Sequence, residues 1–238
     1  MRKDGFIVHG LINFCLIAIL GVIFIACGLS FGENVITASK SYNGVIYAGN
    51  ETSNKVSLMI NVYWGTEYLS DMLDSLKKHN AKATFFVGGT WVQENPELLS
   101  RIYKEGHEIG NHGTNHKEHA RLSYEQNKIE IQNCHTAVQR VLGIDMDLFM
   151  PPGGSYGSKT VESASELGYK TILWTRDTID WKDQREDIIF SRATNKVQSG
   201  DLILMHPTNA TRNVLDEIIE SIKNQGFELT TVSETLKD

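Results

Sequence analysis

The chain has 238 residues, 41% hydrophobic and 22% charged, which provides for one globular domain with an appendage and a sizeable core. Its formal net charge of -6 and pI near 5.8 exclude the broad basic surface that nucleic acid or an anionic lipid headgroup would require, so no nucleic-acid partner is expected. An uncharged or weakly charged ligand fits better.

The N-terminal residues differ in kind from the rest. Arg2 and Lys3 precede an apolar stretch from Leu11 to Phe31, close to the ~20 residues that a helix needs to cross a bilayer. The basic flank predicts a cytoplasmic N-terminus and an extracytoplasmic remainder, with the membrane as a partner through this helix. The length favours a retained anchor over a cleaved signal segment, although Ile36-Thr37-Ala38 offers small-residue cleavage chemistry. Cys15 and Cys27 fall in this stretch, which leaves Cys134 alone in the domain and no intradomain disulfide.

The expected organisation is an anchor or signal segment over 1–32, a linker over 33–54 and the domain proper over 55–238. From Ser39 to Asn54 the chain is polar and reads as linker or short outer strand. Val56 to Val62 is a strand candidate, after which Leu69, Met72, Leu73 and Leu76 recur at the spacing of one buried helix face. Further strand candidates are Ala83 to Val87, Glu108 to Gly110, Leu148 to Met150, Thr171 to Trp174, Leu202 to Met205 and Glu228 to Thr231. Of the helices between them, one opens with Ser123 and Gln126 in capping-box positions, and another carries Val214, Leu215, Ile218, Ile219 and Ile222 and closes at Gly226. Cys134, at helical spacing between Ile131 and Val138, reads as a small buried apolar residue. About six or seven β/α units result, which predicts an α/β fold with a parallel sheet, closed as a barrel rather than open.

Asn61 to Gly65, Gly88-Gly89, Asn111 to His116, Pro151 to Gly154, Asp177 to Trp181 and His206 each follow a strand candidate. In a barrel these positions meet on the rim where loops carry reactive groups on rigid strands. His112 and His116, four apart, suit Zn, Co or Ni if the loop turns as a helix does. Taken alone such a pair is more often coincidence, and His119 shows that the segment is simply rich in histidine. Asp180 followed by His206 at a strand end offers a carboxylate that orients a general acid, against the alternatives of a capping aspartate and a core histidine.

Together these residues resemble the polysaccharide deacetylase family, the carbohydrate esterases with a NodB homology domain. The segments KVSLMINVYWG, KATFFVGG, GHEIGNHGTNH, FMPPGG, DTIDW and DLILMH carry the likeness, in order, from about Lys55 to Leu236. Within the family the chain looks closest to sporulation-associated members from Gram-positive spore formers, which share the Trp64-Gly65 pair. The resemblance implies a distorted (β/α)7 barrel, a divalent metal such as Zn or Co held by one aspartate and two histidines, and removal of acetyl groups from N-acetylated glycans such as peptidoglycan. In that chemistry a metal-bound water attacks the acetyl carbonyl, an aspartate takes its proton and a histidine protonates the departing amine.

Carried over residue by residue, His112 and His116 match the metal histidines, His206 the general acid and Asp180 the carboxylate that tunes it. Trp181, Pro151, Pro152, Leu204 and Trp64 match substrate-binding positions. Three positions depart. Asn61 replaces the base aspartate, Val62 the metal aspartate and Met150 the arginine that holds the base. An amide is no base and valine is no ligand, so any metal is expected to be weakly bound. Three readings follow: a working deacetylase with missing groups supplied elsewhere, for example by Glu67 or His119; a glycan-binding protein with impaired hydrolysis; and a structural envelope protein.

Overall fold

The computed structural model of the chain describes residues 41–237. The candidate membrane segment, Leu11 to Phe31, lies outside them. Among the described residues no helix is long and apolar enough to cross a membrane.

The longest described strand of the sheet is β3 (Lys55–Val62), after the short strands β1 (Ser41–Tyr42) and β2 (Val45–Ile46). Then come α1 (Thr66–Lys78), β4 (Ala83–Val87), α2 (Gly89–Glu94), α3 (Pro96–Lys104), β5 (Glu108–Asn111) and α4 (Tyr124–Leu142). The second half has β6 (Leu148–Phe149), α5 (Ser158–Glu166), β7 (Lys170–Ile172), β8 (Arg176–Asp177) and α6 (Glu186–Thr194). It ends with β9 (Leu202–Met205), α7 (Asn209–Asn224), β10 (Glu228–Leu229) and α8 (Val232–Thr235).

The strand order is β1-β2-β7-β6-β5-β4-β3-β9-β8, with β10 on the first half of β3, and every pairing except β1 with β2 is parallel. The sheet curls into a distorted (β/α)7 barrel with the helices outside. Segment 41–46, part of the expected linker or outer strand, forms β1 and β2, and β2 pairs with β7. β8 was not expected because its two residues carry no apolar run; it is held by an ion pair of 2.5 Å between Arg176 and Asp201.

Alternation along β3 divides the interior. Val56, Leu58, Ile60 and Val62 face the helices and join the large outer core with Leu69, Leu73, Val87 and Ile218. Met59 faces inward, in a smaller cluster with Phe86, Leu148, Met150, Leu204 and Val232. Burial of such side chains contributes about 1.5–3 kcal/mol each. At the foot of the barrel, Glu108 Oε2 accepts hydrogen bonds from Thr84 Oγ1 (2.7 Å) and the Ser233 N–H (3.1 Å), which docks α8 under the inner cluster. The catalytic rim of such a barrel is the other end.

The capping box read from Ser123 and Gln126 is formed, with the Gln126 N–H donating to Ser123 Oγ (3.2 Å) and the Ser123 N–H to Gln126 Oε1 (2.9 Å). It fixes the first turn of α4, the helix that supports the histidine loop. Ser123→Ala is expected to lower stability by about 1 kcal/mol, with Ser123→Gly costing only a few tenths, as read by urea unfolding.

Candidate active site

At the rim lies a cavity of about 500 Å³ whose wall includes Asn61, Trp64, His112, His116, Leu204 and His206. Trp174, Asp177, Trp181 and Gly153 complete it. Seven of the twelve expected site residues therefore meet in one place.

His112 directly follows β5 and is 1% exposed. Its Nδ1–H donates to the Met150 carbonyl (2.7 Å), so Nε2 carries the lone pair, and that atom has no partner. Burial and the neighbouring His116 hold its pKa well below the usual histidine value. His116 lies across the turn, 5.2 Å away between ring centroids, with its own pKa lowered chiefly by burial. The turn is made possible by Gly113, at a φ of 69°, where an added Cβ would meet His119 Nε2 at 2.9 Å.

Glu130 of α4, which sequence reasoning missed, straps this loop. Its carboxylate is 3% exposed and accepts from the Thr114 N–H (3.0 Å), the Asn115 N–H (2.8 Å), Asn115 Nδ2 (2.8 Å) and Lys117 Nζ (2.8 Å). Burial alone would raise its pKa, but the hydrogen bonds from Lys117 and Asn115 outweigh it and hold the carboxyl below the usual range. The signal was its place on the buried helix face with Asn127, Ile131 and Cys134. Tyr63, also missed, lies 5.1 Å from the His116 ring and closes over Gly88, where an added Cβ would meet the tyrosine ring at 2.4 Å.

On the opposite wall, His206 follows β9 and Asp180 stands behind it, fully buried. Asp180 accepts from His206 Nδ1–H (2.8 Å), the His206 N–H (2.7 Å) and Thr211 Oγ1 (2.6 Å). This fixes the imidazole with Nε2 toward the cavity. Trp64 stacks on the same ring, at 5.8 Å and 4° from parallel.

The departures from the family pattern lie in different environments. Asn61 lines the cavity, 5% exposed, with no partner for Oδ1. Val62 does not face it: β3 stays regular through this residue, whose carbonyl accepts from the Gly88 N–H (3.0 Å), and the side chain lies in the outer core. Met150 is buried in the inner cluster beneath the cavity. Pro151 and Pro152 are buried and lie outside the cavity wall; the short turn they begin contributes Gly153 instead. Glu67 is exposed on the first turn of α1, and His119 is buried with Nδ1–H donating to Asn127 Oδ1 (2.7 Å), so neither stands in for a missing group.

The two imidazoles suit a cation at two positions. No described carboxylate completes the set, since among the described residues no group of three or more His, Cys, Asp or Glu side chains is arranged to hold a metal. The residues present thus fall short of the ligand set the resemblance implies, and no step is derived through a metal.

A barrel with this rim is a carbohydrate esterase architecture, and the comparisons agree. The polysaccharide deacetylase family model matches residues 48–172, and the chain belongs to that family. It is 39% identical over 193 residues to an uncharacterised protein of Bacillus subtilis, YlxY, covering 81% of this chain but 60% of that one, so it spans about three fifths of that relative. It is 35% identical over 176 residues to a peptidoglycan-N-acetylglucosamine deacetylase of Bacillus cereus, covering 71% of this chain and 82% of the relative. Among solved structures, a family 4 carbohydrate esterase pseudoenzyme from Bacillus anthracis superposes with a TM-score of 0.80 at 36% identity, covering 83% of this chain and 70% of that one. A mutant of that pseudoenzyme with restored enzymatic activity aligns equally well. Deacetylases of the family are generally metal-dependent.

Removing the Asp180 carboxylate would strand three buried donors. Asp180→Ala is therefore expected to cost about 3–5 kcal/mol in urea unfolding, and His206→Ala a comparable amount because it leaves the fully buried Asp180 carboxylate without its Nδ1–H partner.

Proposed function

We propose that this chain is an envelope protein whose barrel binds N-acetylated, peptidoglycan-like glycans and hydrolyses their acetamide bond slowly or not at all. The observation that carries this reading is the division of the cavity. One wall keeps an oriented imidazole on a buried carboxylate, as a proton donor to a leaving amine requires. The other wall offers a neutral amide at Asn61 above the apolar Met59 and Met150, where nothing takes a proton from water.

Loss of a general base commonly costs ~10²- to 10⁴-fold, so a low residual rate is compatible with the acid half alone. The groove itself suits a sugar. Trp64 and Trp181 are 44% and 56% exposed at its mouth, and exposed indoles in a cleft supply flat apolar faces for binding. A structural role without ligand gives no reason for two exposed tryptophans to stand at one cavity. His112 and His116 are the positions for a divalent metal such as Zn or Co, held weakly. The apolar segment from Leu11 to Phe31, as an anchor or signal, would put the domain outside the cytoplasm next to such glycans.

Two measurements test this. Deacetylation of N-acetylglucosamine oligomers by the unaltered chain should be at or near background, and the combined variant Asn61→Asp, Met150→Arg should exceed the product of the single effects, with His206→Ala abolishing the gain. A rate in the unaltered chain close to that of the combined variant would sink the reading. Separately, Val62→Asp buries a carboxylate in the outer core and should lower the melting temperature without metal. Because this position faces away from the cavity, added Zn²⁺ should not restore it.

A further inference from the structure

Outside the cavity wall, a second polar system runs from the buried end of β5 to the surface of α4. Asn111, the last residue of β5, is fully buried, and its Oδ1 accepts from the N–H of Gly113 (2.9 Å), whose positive φ makes the turn of the histidine loop. A backbone N–H only donates, so the amide has one orientation and Nδ2 gives both its protons. One goes to the Ile131 carbonyl (2.9 Å) and the other to the Tyr169 oxygen (3.2 Å). Tyr169, just before β7 and 6% exposed, accepts there and has its own proton left to give, with His135 Nδ1 at 2.6 Å. Burial, chiefly, raises the pKa of this phenol, so the proton stays on it. His135 Nδ1 is therefore an acceptor, and Nε2–H donates to Asp145 Oδ1 (3.2 Å), which Gln139 Nε2 also reaches (3.1 Å).

Gly113, Asn111, Tyr169, His135 and Asp145 thus form one chain of donors and acceptors with a single polarity, complete only while the His135 ring is neutral. A second proton on the ring sits on Nδ1 and points at a phenol oxygen that Asn111 already uses. The buried Tyr169 proton then has no acceptor, which is costly away from water. Among the described residues, Asp145 is the ionised group that meets the ring, and it favours the protonated form. The other charges around the chain are paired: Asp147 with Lys170 (3.2 Å) and Glu166 of α5 with Lys128 (2.7 Å). The neighbouring Cys134 thiol is neutral, its pKa pushed by burial to about 12.

We infer that His135 is a pH-sensitive positioning residue for the histidine loop, acting through Tyr169 and Asn111 on the Gly113 turn. With a neutral ring the chain tethers Gly113. On acidification His135 is held by Asp145 alone, the link from Tyr169 to Asn111 gives way and the first half of the loop loosens, while Glu130 keeps Thr114 and Asn115 in place. The same loop brings His112 and His116 to the cavity, so protonation at the surface of α4 is read at the cavity wall, whatever ligand the cavity takes.

The test is NMR of the full, isotope-labelled chain, in mild detergent on account of its apolar N-terminal stretch, as the pH is lowered through the titration of its histidines. The Gly113 amide and the Asn111 side-chain amide are expected to shift with the midpoint of the His135 ring nitrogens. The Gly113 N–H should also lose about tenfold in hydrogen-exchange protection, after correction for intrinsic rates, as the loss of one hydrogen bond predicts. His135→Gln has no titrating ring and should abolish both changes. Tyr169→Phe removes the linking oxygen and should leave His135 titrating with no response at Gly113. Because His135 is partly exposed, His135→Gln is expected to fold even where Tyr169→Phe does not, and the coupling is read in either case. A Gly113 response that survives in His135→Gln would trace to His112, His116 or His119 and overturn the inference. So would a His135 titration that leaves the Gly113 amide unmoved.

Discussion

The two-residue period of β3 is the constraint on which the rest of the molecule depends. β3 pairs with β4, β9 and β10, so its side chains decide what belongs to the outer core and what reaches the barrel interior. Two consecutive residues of a regular strand face opposite ways. With β3 regular through Val62, Asn61 turns to the cavity and Val62 to the helices, where it packs with Val87 and Leu69. The valine is thus part of the folding core.

The two walls of the cavity differ in how much the fold invests in them. Around Asp180, three hydrogen bonds, two from His206 just after β9 and one from Thr211 of α7, converge on one buried carboxylate, and the His206 ring is covered by Trp64. Opposite, Asn61 has an acceptor with nothing to accept, above methionines that need only fill space. The cavity thus has preorganised polar groups on one side and an apolar floor on the other.

Much of this was legible in the sequence, for physical reasons. The helix face of Leu69, Met72, Leu73 and Leu76, the capping box at Ser123 and the placing of histidines just after strands are local patterns, and local patterns survive translation into structure. A two-residue strand such as β8 is too short to carry any period. KVSLMINV is apolar on both faces, so its register, and with it the different orientations of Asn61 and Val62, is invisible until the neighbouring layers are known. Glu130 shows the same limit: a glutamate in a helix ordinarily faces water, and only the loop from β5 makes it a buried acceptor.

That strap on the histidine loop has a consequence for history as well as geometry. Because Glu130, Lys117 and Asn115 hold the turn between His112 and His116 through protein contacts alone, the loop keeps its shape whether or not an ion sits on the imidazoles. Folding selection is therefore blind to the ion. A lineage of such barrels is free to lose ligands one substitution at a time, each step neutral for the fold, and to arrive at a groove whose outline is intact while its use has changed.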